Sequence, residues 1–315
     1  MSARSDTTLV IALGGNALAR FGDDGTVAAQ YERAAQAMSA VADLATDGWR
    51  TVVTHGNGPV IGAIVLRGEL AGALVPPTPL YISGADSEGG IGLMLQQVLG
   101  NELRARGVTT TVATVVTQVV VDRADPAFAH PTKPIGTYYD DEAAEQLRDR
   151  HGWMLAKEPG RGWRRLVASP CPQRVVETLA ISTLLQAGIL PIAAGGGGVP
   201  VFEDESGALT GIDAVIDKDR TAALLAHALG ARMLAIVMEQ DAVYTEFGTR
   251  HARRIEQLDA HEAVALSARS PEGSIGPKLQ AAGWFAERGG TTVICSAENL
   301  SVALAGQAGT RVGGA

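Results

Sequence analysis

Apolar runs that end in glycine recur along this chain, and a stretch with helical spacing follows each. Leu9-Val10-Ile11-Ala12-Leu13 ends in Gly14-Gly15-Asn16, which predicts a strand buried on both faces of a parallel sheet and leaving through a glycine turn. Tyr31, Ala34, Ala35, Met38, Val41, Ala42 and Ala45 then share one helical face. Residues 51–54 repeat the strand and run into His55-Gly56-Asn57-Gly58-Pro59, where Pro59 can open a helix carrying Val60, Ile64 and Val65. Strand, glycine turn and helix in alternation predict an α/β fold with a mostly parallel sheet.

Downstream, residues 91–103 have amphipathic helical spacing, and the β-branched residues 110–121 predict one strand. The rhythm breaks over about 123–168, with Pro126, Pro131, Pro134, Gly136 and the basic-aromatic Arg161-Gly162-Trp163-Arg164-Arg165. This stretch is expected to leave the sheet as a lid or protruding subdomain. Residues 174–187 predict a helix and 189–194 a buried strand, which ends in Gly195-Gly196-Gly197-Gly198 at the edge where α/β sheets place ligands. Strands at 233–238 and 291–295 complete the pattern, with Asp241-Ala242-Val243-Tyr244 as the exit of the first.

Composition narrows the class. A chain of 315 residues can bury a large core as one domain or two lobes. Hydrophobic residues make up 46% but aromatics only 4%, so the core must be aliphatic. A net charge of −8 argues against a broad nucleic-acid surface or an anionic-membrane dock, so any anion site must be local. Two cysteines, Cys171 and Cys295, make no disulfide framework, and no Cys/His spacing suggests zinc. The uncharged stretch 189–202 is interrupted by prolines and glycines and falls short of a spanning helix. A soluble, cytoplasmic protein is expected.

Two lysines stand where a helix should repel them. Asp217-Lys218-Asp219-Arg220 precedes Ala222, Leu225, Ala226 and Leu229 at helical spacing, and Gly273-Ser274-Ile275-Gly276-Pro277-Lys278 opens a second helix. A helix start carries partial positive charge, so a cation there costs a few tenths to about 1 kcal/mol. Asp217 and Asp219 offset that as a solvated cap, which is one explanation; an anion docked between lysine and free N–H groups is the other. Two such lysines favour a shared polyanion, a transferring phosphoryl group. Lys133, in Pro131-Thr132-Lys133-Pro134-Ile135-Gly136, is either an exposed loop lysine or a third cation whose reach the prolines restrict.

These motifs, in this order, resemble the carbamate kinase family of the amino-acid-kinase superfamily. The likeness runs from about residue 9 to 312 and is most specific in Pro131-Thr132-Lys133-Pro134-Ile135-Gly136. It also covers Ala12-Leu13-Gly14-Gly15-Asn16, His55-Gly56-Asn57-Gly58-Pro59 and the two lysine turns. The resemblance implies a three-layer αβα sandwich around a mainly parallel eight-stranded sheet, with a small protruding subdomain. It implies a lobe for carbamate and carbamoyl phosphate at 1–205, a nucleotide lobe at 206–315, and a cytoplasmic homodimer.

The implied reaction is reversible phosphoryl transfer between ATP and carbamate, giving ADP and carbamoyl phosphate, with Mg²⁺; it is often run toward ATP in arginine fermentation. By resemblance Lys218 and Lys278 contact the transferring phosphoryl group, Asp219 orients them or reaches Mg²⁺ through water, and Lys133 closes over carbamoyl phosphate. Gly14, Gly15, Asn16, Gly56 and Asn57 hold carbamate, and Val243, Tyr244 and Ile275 neighbour the adenine and ribose. No all-protein metal site is expected. His55 is given a structural role because an anionic nucleophile needs no base. Met238-Glu239-Gln240 departs from the family's pattern, and Ile275 replaces its usual methionine. Another acid kinase of the same fold, or a regulator that binds nucleotide without turnover, are the alternatives; a dinucleotide dehydrogenase lacks its Gly-x-Gly-x-x-Gly turn.

Overall fold

The structure is a computed structural model that describes residues 7–15, 26–270 and 275–314. Asn16, Gly273 and Ser274 of the expected site lie outside the described residues. The chain begins with β1 (Thr8–Leu13), α1 (Val27–Thr46), β2 (Arg50–His55), α2 (Gly58–Ala71) and α3 (Leu80–Ala105). Then follow β3 (Val112–Val115), β4 (Gln118–Val121), β5 (Lys133–Tyr139), α4 (Asp141–His151), β6 (Leu155–Glu158) and β7 (Gly162–Val167). The middle of the chain adds β8 (Pro172–Val175), α5 (Thr178–Gln186), β9 (Leu190–Ala193), β10 (Val199–Glu203), β11 (Leu209–Gly211), α6 (Lys218–Ala228) and β12 (Met233–Met238). It closes with β13 (Val243–Thr245), β14 (Arg253–Ile255), β15 (Gln257–Leu258), α7 (Ala260–Ser267), α8 (Gly276–Ala286), β16 (Thr291–Ser296), α9 (Leu300–Leu304) and β17 (Thr310–Val312).

Eight strands form the central sheet in the order β15-β17-β16-β12-β1-β2-β9-β3, parallel except where β16 meets β17. Alternation along β1 divides the core. Leu9, Ile11 and Leu13 face one layer with α1, α3 and α9, while Val10 and Ala12 face the other with α5, α6, α7 and α8. All five are buried, and each large aliphatic side chain so placed contributes roughly 1.5–3 kcal/mol. Helix, sheet, helix: the architecture is the expected three-layer sandwich.

Three expected elements were drawn differently. Residues 110–121 are two strands rather than one, β3 in the central sheet and β4 in a four-stranded sheet ordered β11-β10-β4-β8. The break falls at Thr117, whose buried hydroxyl donates to Val115 O and accepts from Ala194 N, tying the kink to the glycine turn after β9. The helix expected at 91–103 begins at Leu80, because Gly84, Gly89 and Gly90 read as breakers yet are tolerated. Gly92 is required: a Cβ there would stand 2.2 Å from Thr114 Cγ2. Helix 174–187 begins only at Thr178, its first residues being spent on β8.

The 123–168 stretch does leave the sheet. Its β5-β7-β6 sheet and α4 lack a deep core and rely on stacked cations, Arg148 over Trp163 at 4.2 Å and Arg165 over Trp153 at 4.0 Å. It docks on α2, where a Cβ on Gly62 would sit 2.4 Å from Gly136 Cα. Ile61, Leu80, Ile135, Val167 and Val215 seal that contact, and His151 Nε2 meets Glu69 Oε2 at 2.8 Å.

Candidate active site

Helix α6 opens with the lysine inside its first turn. Asp217 is the cap, its Oδ1 accepting from Asp219 N at 3.0 Å and Arg220 N at 3.3 Å, and this leaves Lys218 as the first helical residue. The ammonium of Lys218 donates to Asp219 Oδ1 at 2.5 Å. Helix α8 starts without a side-chain cap, with Pro277 in its first turn, and Lys278 Nζ donates to the other oxygen, Asp219 Oδ2, at 3.2 Å. One carboxylate thus bridges the two lysines. From the subdomain, Lys133 Nζ reaches Asp217 Oδ2 at 3.2 Å and Ile216 O at 3.4 Å. Three cations from three parts of the chain meet on two neighbouring aspartates.

Burial shapes their charge. Asp219 and Lys218 are almost wholly buried, their side chains 2% and 10% exposed, and Lys278 is 20% exposed. Burial presses the Lys218 ammonium below its ordinary range; Asp219 pulls the other way and Lys278 adds to the depression. Lys278 is raised, chiefly by Asp219. Burial would lift the Asp217 carboxyl, but Lys133, Lys218 and Lys278 outweigh it and hold that group well below the usual carboxylate range. The cluster is a stack of alternating charges at a helix start.

A cleft of about 390 Å³ opens beside it, lined by Lys133, Arg164, Asp217, Arg220, Lys278 and Gln280 among others. Arg220 was in the stretch singled out from sequence but without a role. Its guanidinium is held by Gln280 Oε1, at 3.1 Å from Nε and 2.6 Å from Nη2, which ties α6 to α8 at the cleft wall.

The glycine turns lie against one another rather than in solvent. Gly14 N donates to Val237 O and Gly56 N to Leu13 O, and a Cβ on Gly56 would be 2.7 Å from Gly15 N. Asn57 ends the turn and leaves α2 without a side-chain cap, since its amide donates instead to Ser87 Oγ at 2.9 Å. Gly195 to Gly198 lock these walls together. A Cβ at Gly195 would fall 2.3 Å from His55 Nε2, at Gly196 2.2 Å from Asn57 Nδ2, at Gly197 2.4 Å from Ile216 O, and at Gly198 2.3 Å from Val119 Cγ2. Gly196, Gly197 and Gly198 also have positive φ, so these three are needed on two counts and Gly195 on one. The turn joins Asn57 to Asp217, and Thr221 Oγ1 donates to Gly197 O at 2.9 Å.

His55 is buried, and desolvation lowers it to about 4 despite the opposing hydrogen bond to Gly56; Lys218 lowers it further. It is a neutral imidazole that holds its turn, Nδ1 lying 3.2 Å from Gly56 O. The residues expected near the nucleotide are more scattered. Val243 is a core side chain with its N–H on Thr310 Oγ1, and Ile275 packs partly against the same core just ahead of Lys278. Tyr244 donates to Asp241 Oδ1 and its ring meets Phe247 at 6.0 Å, contacts that do not involve the lysines.

Sequence reasoning missed what lies on the first half of α3. Ser87 positions Asn57, and Glu88 accepts from Thr117 N at 2.8 Å. A buried glutamate inside an amphipathic stretch was the available signal, and the surrounding glycines obscured it. Among the described residues no helix is long and apolar enough to cross a membrane.

Comparison with known proteins agrees with this geometry. Residues 7–296 match the amino acid kinase family. The carbamate kinase of Pyrococcus horikoshii is 41% identical over 309 residues, covering 96% of this chain and 98% of the relative. That of Clostridium perfringens is 40% identical over 311 residues, covering 96% and 99%. The solved carbamate kinase of Giardia lamblia bound to AMP-PNP superposes with a TM-score of 0.89 at 36% identity, covering 98% of this chain and 99% of that one. The chain belongs to the amino acid kinase family and, within it, to the carbamate kinases.

Proposed function

We propose that the protein transfers a phosphoryl group reversibly between ATP and carbamate, giving ADP and carbamoyl phosphate. The observation that carries this is the meeting of Lys133, Lys218 and Lys278 on Asp217 and Asp219 beside a glycine-built turn. Phosphoryl transfer demands in-line positioning and charge neutralisation more than covalent chemistry. Lys218 and Lys278 would neutralise the oxygens of the group in flight, while Asp219 fixes their spacing. Lys133 would approach carbamoyl phosphate from the subdomain. Gly14, Gly15, Gly56 and Asn57 would border carbamate. Because the N–H groups of Gly14 and Gly56 are spent on Val237 O and Leu13 O, the donors offered would be Gly15 N and the second amide hydrogen of Asn57, and Asn16 completes that set by kinship.

Carbamate is already anionic, so no base has to remove a proton before attack. The neutral, buried His55 is consistent with that. Val243 and Ile275 would wall the nucleotide side and Tyr244 would border it. Asp217 and Asp219 offer the hard oxygen donors Mg²⁺ takes through water, and among the described residues no group of three or more acidic, His or Cys side chains forms a metal cage. Bound on the nucleotide phosphates, Mg²⁺ would supply further charge neutralisation.

The same reading divides the chain at 205/206, in the turn of the β10–β11 hairpin, so that β1 and β12 join the carbamate and nucleotide halves in one sheet. A cytoplasmic homodimer working in arginine breakdown belongs to it too, supported by kinship alone. The test is ATP formation from ADP, Mg²⁺ and carbamoyl phosphate. Lys218→Ala and Lys278→Ala should each lower kcat by about 10²–10³-fold, as for other groups that stabilise transition-state charge. Folded variants that keep full turnover would refute the assignment.

A further inference from the structure

Arg220 stands two residues past Lys218 on α6, and Gln280 stands two residues past Lys278 on α8. Nε and Nη2 of the guanidinium both donate to Gln280 Oε1, at 3.1 Å and 2.6 Å. Two N–H groups on one edge of a planar group fix its direction as well as its distance, and the charge on the donor strengthens both bonds. Away from that edge, Nη1 lies 3.6 Å from Cys171 Sγ, and Cys171 is itself held through its N–H by Asp125 Oδ2 at 2.9 Å. Arg220 is anchored on both sides. Gln280 is neutral, so it holds the guanidinium without cancelling any of the positive charge that lines the cleft.

The two helix starts are held differently. On α6, Asp217 caps the turn and takes the N–H groups of Asp219 and Arg220. On α8 the cap position is Ile275, which has no polar side-chain atom to offer, and Pro277 brings no N–H. No cap of its own fixes where α8 begins, and α6 supplies what is missing. Asp219 takes the ammonium of Lys278, and Arg220 takes Gln280. At about 100° of turn per residue, Asp219 and Arg220 leave α6 in different directions, and Lys278 and Gln280 leave α8 on nearly opposite sides. One tie alone would be a pivot. Two ties at different points around each axis stop α8 from rolling and hold its lysine at a set place beside Lys218.

We propose that Arg220 is a positioning residue for phosphoryl transfer: closed on Gln280, it fixes the uncapped start of α8 against the capped start of α6 and so sets where Lys278 stands relative to Lys218. Both residues line the cleft and Gln280 is exposed there, so in the open protein water competes for the tie. A ligand that fills the cleft excludes that water, and the bonds strengthen. The tie therefore contributes little to folding and most when the reacting groups are in place. Its substrate comes from the carbamate kinase reading, on which the proposal rests; the geometry stands without it.

The test is ATP formation from ADP, Mg²⁺ and carbamoyl phosphate by a set of variants. Gln280→Leu opens the tie and keeps the arginine, while Arg220→Met opens it and removes the charge. Each should lower kcat by about 10- to 100-fold through misplacement of Lys278. In Gln280→Leu the KM for ADP and for carbamoyl phosphate should stay within about twofold of the parent. The double variant should be no slower than the slower single, because both substitutions remove one interaction. Gln280→Glu, which keeps an acceptor at the same place, should recover most of the turnover, and the midpoint of urea unfolding should hardly move in any of them. Full kcat in Gln280→Leu overturns the proposal and leaves Arg220 as a plain charge. Additive losses in the double variant overturn it too, as does a lower urea midpoint with kcat unchanged. If the parent forms no ATP, the functional reading itself has failed and takes the proposal with it; an active parent with unimpaired variants sinks the proposal alone.

Discussion

Replacing Asp219 by Asn keeps the shape of the side chain and removes the one charge that separates Lys218 from Lys278. The parent carboxylate takes hydrogen bonds of 2.5 Å and 3.2 Å from the two ammonium groups and is 2% exposed. At an effective dielectric near 20 each such pair is of order 4 kcal/mol before the cost of burying the charges. The Lys278 pair is one-fifth exposed and is screened accordingly. Breaking a buried pair by removing one partner costs about 3–5 kcal/mol net, and here two cations are left facing each other. Asp219→Asn should therefore lose roughly 3–5 kcal/mol of unfolding free energy, a fall in Tm of about 5–8 °C for a chain of this length. Urea unfolding should be followed with and without saturating ADP, omitting Mg²⁺ so that the metal plays no part. Because ADP supplies the negative charge the lysines lack, the gap between variant and parent should narrow when it binds. A loss below about 1 kcal/mol, or a gap that ADP leaves unchanged, would show that the lysines do not depend on Asp219 for their spacing.

Three other outcomes follow from separate features. His55 is lowered from 6.5 to about 4, so between those values the unfolded chain binds a proton that the folded one does not, and His55 costs stability as pH falls. Against His55→Gln, the parent should lose about 1.4 kcal/mol per pH unit, ~3 kcal/mol across that window, and a pH-independent difference would refute it. Glu88 has the opposite sign, its raised carboxyl costing stability as pH rises above its ordinary range, so the two slopes offset in the parent and must be separated by mutation. Gly62→Ala would press a methyl group against Gly136, and steady-state kinetics should show a higher KM for carbamoyl phosphate with that for ADP spared. Thiol titration of the native protein should find Cys171 reactive and Cys295, buried and pushed up to about 12, silent until unfolding; two fast thiols would contradict the burial.

What the sequence revealed followed from burial. Strands covered on both faces are written as unbroken apolar runs, so β1, β9, β12 and β16 were legible almost to the residue, and with them the layered architecture. Lys218 and Lys278 stood out because their positions oppose the helix dipole. The N-terminal half of α3 was hidden because Gly84, Gly89 and Gly90 read as breakers, while the long-range packing that holds the helix, such as Thr114 against Gly92, is recorded in no local pattern. The split of β3 from β4 was hidden for the same reason, since Thr117 bends the chain through partners at Ala194 and Glu88 far along it. Arg220, Ser87 and Glu88 became site residues only when tertiary packing brought them there.

The bond between Lys133 and Asp217 bears on turnover. A ligand that recruits Lys133 must compete with a carboxylate already within the protein, so part of its attraction is offset on arrival. The same carboxylate is at hand to reclaim the ammonium when the reaction ends. On the proposed reading, tight retention of the phosphorylated compound would thereby be exchanged for speed of departure, which suits a reaction that is reversible.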